Sequence, residues 1–301
     1  MTIAETGMDE RQARDRADTK ARYLTPINVF RTRQAGVPIH AFATERDDAF
    51  APGRSTGFVP LDLSAHYGFA YPATTPAMLG RYAIVRAGET LACPAATTGL
   101  AGYVLRGEGV ARFAAGSLDW ATGDAMLLPP GAVIEAAADA IVFVLSDEPL
   151  FSFLGAVPKA ALPAIRYPAA EIERQLTAVY ERGDDEDLTG RAVFLTHDGG
   201  GDYGTTTAAL ISTITTLEPG GVQRPHHHNA TAITLCLSED AIESVVDGAS
   251  CPWRHGLVQI TPPTAVHAIY NRGASRMTSF VSQDSGLFYY LRATGFDFDE
   301  V

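Results

Sequence analysis

The residues best suited to chemistry are three histidines: His226, His228 and the later His267. Side chains along a strand alternate between its two faces, so His226 and His228 project together while His227 projects the other way. An imidazole arriving from a separate strand, His267, completes a pocket of three nitrogen donors for a divalent transition metal. A lone buried histidine is more often a hydrogen-bonded core residue, and His40, His66 and His197 read that way. Neutral imidazoles bind Fe, Zn, Cu, Ni or Mn without supplying charge, so the full charge of the ion remains for a ligand to offset. In six-coordination such a site keeps open positions for a chelating substrate anion and for dioxygen. Four further residues are candidates for substrate contact. Arg224, just before the histidine strand, pairs with a substrate carboxylate if it turns inward and is otherwise a surface arginine. Thr234 and Cys236 share one strand face, and either that face with Ala232 or the face of Ile233 and Leu235 lines the pocket. Asn271, four residues after His267, orients a ligand or caps a strand end.

Positioning these groups requires strands joined by tight turns. The run Ile211–Leu217 is rich in Thr and Ile, and the turn Glu218-Pro-Gly-Gly221 delivers the chain into the histidine strand. Short apolar runs broken by Gly and Pro begin at Met78, as in Tyr82–Arg86, Tyr103–Leu105, Ala125–Leu128 and Ile141–Leu145. The spacing Gly123-x5-Pro129-x-Gly131 recurs as Gly256-x5-Pro262-x-Thr264, and each of Trp120 and Trp253 stands three residues before its motif glycine. Leu150–Leu154 and Leu287–Leu291 close the two halves alike. Such a repeat means two copies of one barrel in tandem. At the positions of His226, His228 and His267 the first copy has Pro94, Ala96 and Ile134, none of which holds a metal.

The second-half spacings, Gly220-x5-His226-x-His228 and Gly256-x5-Pro262-x-Thr264-x2-His267-x3-Asn271, resemble the two motifs of the cupin superfamily. In that family they run G-x5-H-x-H-x3–4-E-x6-G and G-x5-P-x-G-x2-H-x3-N. Here the Glu falls at Ala232 or Ile233, its closing Gly at Glu239 or Asp240, and the Gly of P-x-G at Thr264. Cupins that cleave aromatic rings, gentisate dioxygenases among them, include proteins without that Glu. The resemblance implies an all-β bicupin, two tandem jelly-roll barrels with a few short helices. It also implies Fe(II) on His226, His228 and His267 and a dioxygenase acting on a small aromatic or hydroxy acid with O2. Zn, Ni, Mn or Cu are the alternative ions. Another metalloenzyme class (decarboxylase, isomerase or hydrolase) and a non-catalytic small-ligand-binding protein are the alternative roles. Cupin barrels with long N-terminal arms often associate, so a homo-oligomer is expected.

The remaining organisation follows from composition. The chain has 301 residues, 46% of them hydrophobic, and a formal charge of −12, which disfavours nucleic acid as a partner. No apolar run approaches the ~20 residues that span a bilayer, so no membrane partner is expected, and the polar N-terminus has no signal-peptide core. Cys93, Cys236 and Cys251 cannot all pair and lack metal spacing, as expected of reduced thiols in a cytoplasmic protein. Residues 1–77 are expected to form an arm with a helix over Asp9–Tyr23; 78–165 a barrel without ligands; and 166–301 the metal-bearing barrel. Pro158–Pro168 reads as a linker, Ala169–Arg182 as an amphipathic helix, Gly183–Asp187 as an acidic turn, and strands resume at Ala192 and Thr205. The aromatic tail Leu287–Phe298 is expected to pack on the other barrel or on a partner.

Overall fold

The computed structural model describes residues 24–158, 162–181 and 190–298. The helix expected over Asp9–Tyr23 and the acidic turn Gly183–Asp187 lie outside the described residues. The chain divides between Ala35 and Gly36. The first unit holds helix α1 (Pro26–Arg31), entered through Thr25, whose hydroxyl bonds the Asn28 side chain.

The second unit opens with β1 (His40–Ala41), α2 (Ala43–Ala49), β2 (Gly57–Pro60) and α3 (Ser64–Tyr67). Next come β3 (Leu79–Val85), β4 (Thr90–Ala92), β5 (Leu100–Arg106), β6 (Glu108–Phe113), β7 (Gly116–Ala121) and β8 (Ala125–Leu128). After β9 (Val133–Ala136) and β10 (Ala140–Ser146) the chain passes through α4 (Glu148–Leu154), β11 (Ile165–Tyr167), α5 (Ala169–Glu181) and β12 (Arg191–Phe194). The second series is β13 (Ile211–Leu217), β14 (His226–His228), β15 (Ala232–Cys236), β16 (Ile242–Val246), β17 (Ala249–Pro252) and β18 (Val258–Thr261). It ends with β19 (His267–Asn271), β20 (Met277–Gln283), α6 (Ser285–Leu291) and β21 (Phe296–Phe298).

Two six-stranded antiparallel sheets have the same order, β11-β8-β5-β10-β3-β2 and β1-β18-β15-β20-β13-β12. Each is faced by a smaller sheet, β4-β9-β6-β7 in the first half and β21-β14-β19-β16-β17 in the second. The halves therefore correspond strand for strand, except that β21 has no counterpart. An exchange joins them. β1, which leads into the first half, pairs with β18 of the second, and β11, which leads into the second half, pairs with β8 of the first. The stretch Pro158–Pro168 thus contributes a strand as well as a connection.

The large sheets pack against each other. Tyr82, Ile84, Ile141 and Phe143 from one and Ile214, Ile233, Leu235 and Phe280 from the other share a single buried cluster. The Phe143 and Phe280 rings lie 6.1 Å apart, and the Tyr82 hydroxyl donates to the Gly256 carbonyl at 2.6 Å. Strands with a second sheet on one side and a barrel interior on the other are apolar on both faces, as in β10, where every residue is buried. In the first barrel the interior is filled by Val85, Val104, Trp120, Met126 and Ile134. Helix α5 presents Ile172 and Leu176 inward, with Val179 and Tyr180 half-buried.

The repeat reaches further upstream than the motifs. Thr74 donates to the Leu61 carbonyl and accepts from Gly80 N–H, and Thr206 does the same with Leu195 and Ser212. These bonds hold a corner rather than a strand, so β13 begins at Ile211 and not at Thr205. Asp147 and Asp284 likewise precede α4 and α6, accepting backbone N–H groups from Thr98 and Thr231.

Asp284 is buried, and burial pushes its carboxyl up from 3.8 to about 6. The folded chain then holds this proton more tightly than the unfolded chain. The resulting stability is complete below the unfolded value and is lost as pH rises through the folded one. Asp284→Asn keeps an oxygen for Thr231 N–H and removes the charge. Urea unfolding should find the variant equal to the native chain near pH 4 and more stable near pH 8, by at most roughly 3 kcal/mol. An unchanged pH dependence would assign the effect to another group.

Candidate metal centre

β14 lies between β19 and β21, with His226 opposite His267 across one ladder and opposite Phe298 across the other. Strand alternation turns His226 and His228 into the barrel, where both are buried, and leaves His227 half-buried on the other face. The ring centroids of His226 and His267 are 4.1 Å apart, and those of His228 and His267 are 4.8 Å apart.

Each ring is oriented by its own backbone neighbourhood. His226 Nδ1 meets the Arg224 carbonyl at 2.8 Å, His228 Nδ1 the Ala230 carbonyl at 2.8 Å, and His267 Nδ1 the Ala265 carbonyl at 2.9 Å. A carbonyl only accepts, so each Nδ1 carries the proton and each Nε2 keeps a lone pair. One nitrogen from each ring lies within 4.8 Å of the others. Nitrogens each about 2.1 Å from one zinc-like ion sit closer than that, so closing on an ion asks for shifts of roughly an ångström. The donors fit in charge as well. Burial, then the neighbouring His226 and His228, hold His267 down at about 3, and burial lowers His228 too. His228 and His267 are thereby held neutral at ordinary pH, the state a metal requires.

The imidazoles face a cavity of about 250 Å³ inside the second barrel. Thr213, Thr215, Thr234, Val281 and Gln283 wall it from the large sheet, and Phe288, Tyr289 and Phe296 from the C-terminal segment. Among the described residues, no Asp, Glu, Lys or Arg lines it. The question of strand parity is answered by Ala232 and Thr234, which line the cavity, while Ile233 and Leu235 enter the core between the large sheets.

Three residues expected at the substrate are placed elsewhere. Arg224 is exposed, with its guanidinium 4.0 Å from the centroid of the Phe298 ring. Cys236 is fully buried beyond the cavity, where Gln259 donates to its sulfur at 3.5 Å and burial raises the thiol well above its usual value. Asn271 spends its Nδ2 on the carbonyls of Leu217, Glu218 and Ser275, pinning the turn ahead of the histidine strand. The aromatic tail also differs from expectation. β21 folds back onto β14 of its own barrel, and the Phe296 ring centroid comes within 5.4 Å of His226.

The position of the missing motif carboxylate is informative. Ala232 pairs in register with Gln283, whose side-chain nitrogen is 3.2 Å from His228 Nε2. A neutral amide from the neighbouring strand thus occupies the place beside the rings. Gln283 lies 51 residues from Ala232, and only the alternation of Val281 and Gln283 in β20 hints at its direction. The motif glycine replaced by Thr264 leaves the turn intact: Thr264 has φ 63°, as Gly131 has φ 72° in the first copy. A β-branched residue is strained there, and its N–H donates to the His228 carbonyl at 2.7 Å.

No protein-family model matches the chain, and no curated protein matches its sequence. Solved structures do match in shape. A point mutant of salicylate 1,2-dioxygenase from Pseudoaminobacter salicylatoxidans is similar with a TM-score of 0.74 and 13% identity, over 99% of each chain. Another mutant of that enzyme, in complex with gentisate, matches with a TM-score of 0.74 and 13% identity, over 99% of this chain and 98% of that one. A cupin 2 conserved barrel domain protein from Leptotrichia buccalis gives a TM-score of 0.50 and 12% identity, over 84% of this chain and 97% of that one. Together with the duplicated barrel, these likenesses show that the chain has the fold of a two-barrel cupin.

Proposed function

We propose that the chain is an Fe(II)-dependent dioxygenase of small aromatic or hydroxy acids, with the ion on His226, His228 and His267. The observation that carries this reading is three imidazoles, each locked through Nδ1, with one nitrogen of each within 4.8 Å of the others at the wall of a cavity about one ring in size. The fold neighbours named for a salicylate dioxygenase, one of them holding gentisate, support the same substrate class. Bound Fe(II) would supply Lewis acidity and a place where a chelating acid and dioxygen lie side by side. The protein holds the rings in one tautomer through backbone carbonyls, which do not shift with side-chain rotamers. Phe288, Tyr289 and Phe296 shield the centre from water. The three cysteines are unpaired, which fits a reducing, cytoplasmic setting.

A three-imidazole set also binds Zn, Ni, Mn or Cu, so a non-oxidative use of the centre is the second reading. Oxygen consumption separates the two. Fe(II)-loaded protein given salicylate or gentisate should take up O2 in step with loss of the aromatic absorbance. Turnover of an acid under anaerobic conditions, with no O2 uptake from either compound, would favour a decarboxylase, isomerase or hydrolase.

Metal content tests the ligands separately. His228→Ala should lower bound metal from about one ion per chain to less than about a tenth, with the circular dichroism unchanged. His227→Ala should keep its metal. Equal loss in both variants would mean that the alternation along β14 does not select the donors.

A further inference from the structure

The charge balance of the cavity restricts which acids the proposed centre accepts. Its walls offer hydroxyls and amides (Thr213, Thr215, Thr234, Gln223, Gln283) and aromatic faces, with no ionised side chain among the described residues. Arg224, the one cation expected to meet a substrate carboxylate, lies outside against Phe298. The motif carboxylate is replaced by Ala232 and the neutral Gln283 across from it. The other repeat shows that the same places in the fold can carry charge. Thr213 corresponds to Arg81, and Ser285 to Glu148. In the first barrel that pair forms a part-buried ion pair at 2.5 Å, joined by Ser146.

A negative charge on the atoms that bind the ion is offset by the ion itself. A second negative charge at the far end would lose its water and find no cation. A cavity of about 250 Å³ has room for one ring with a chelating arm and a small substituent, since about 150 Å³ suffices for benzene. Resting on the metal-centre reading, we infer that this site selects acids whose negative charge is confined to the chelating end and whose far end is uncharged. Hydroxyl, alkyl or amide substituents suit that end. A second carboxylate, a sulfonate or a phosphate does not.

The test uses the full chain loaded with Co(II), whose visible absorption changes when a ligand enters the coordination sphere. Three probes are titrated: salicylate, 5-carbamoylsalicylate and 5-carboxysalicylate. The last two have nearly the same shape and differ in charge at the far end. The amide should bind within about threefold of salicylate, and the dicarboxylate at least about thirtyfold more weakly. Thr213→Arg, which gives the second barrel the cation of the first, should recover much of the dicarboxylate's affinity. If Co(II) loads and the dicarboxylate binds as tightly as the amide, or salicylate itself leaves the spectrum unchanged, the inference is overturned while the metal centre stands. Failure of Co(II) to load at all would remove the metal-centre reading, and the inference with it.

Discussion

Three short hydrogen bonds from imidazole Nδ1 to backbone carbonyls organise the second barrel. Each runs to a residue two positions away, so the ring and its anchor belong to one local stretch of strand or turn. The cost of burying three imidazoles is met in part by these bonds, and burial keeps His228 and His267 uncharged. The surrounding features serve that arrangement. Asn271 ties down the turn that enters β14, Thr264 adopts a strained backbone to bond the His228 carbonyl, and β21 covers the outer edge of the histidine strand.

Duplication explains why the chain can keep a hollow, polar barrel. The first copy is packed with Val, Trp, Met and Ile and is a conventional core. Its large sheet buries Tyr82, Phe143 and Leu145 against Ile233, Leu235 and Phe280 of the second. The second barrel therefore needs its interior less for stability, since the back of its sheet already has an apolar partner. One detail records how the copies diverged. Trp253 Nε1 donates to Ser244 Oγ at 2.8 Å, whereas the buried Trp120 Nε1 of the first copy has no hydrogen-bond partner among the described residues.

Much of this was legible in the sequence because it depends on local rules. Strand alternation separates His226 and His228 from His227, the repeat marks Pro94, Ala96 and Ile134 as the silent copy, and apolar periodicity gives α5. What escaped depends on long-range register. Gln283 reaches the rings because β15 and β20 pair with Ala232 opposite it, which no short spacing encodes. Arg224 has the right charge and sequence position, but just ahead of the histidine strand its side chain is exposed, and the Phe298 ring takes its guanidinium. Strands of two or three residues such as β1 and β11 carry too little pattern to be read at all.

Those two small strands bear on how the molecule can be assembled. The outermost rung of the histidine-bearing half is supplied by residues made long before it, and that of the silent half by residues made after its own ladder is finished. Neither lobe contains everything its main sheet needs, so cutting the gene between them would leave each fragment with a bare edge prone to self-association. The nascent chain must also hold its early segment available until some two hundred residues later, which raises contact order and slows the closing steps. The histidine-bearing half produced in isolation would have to borrow that rung from elsewhere.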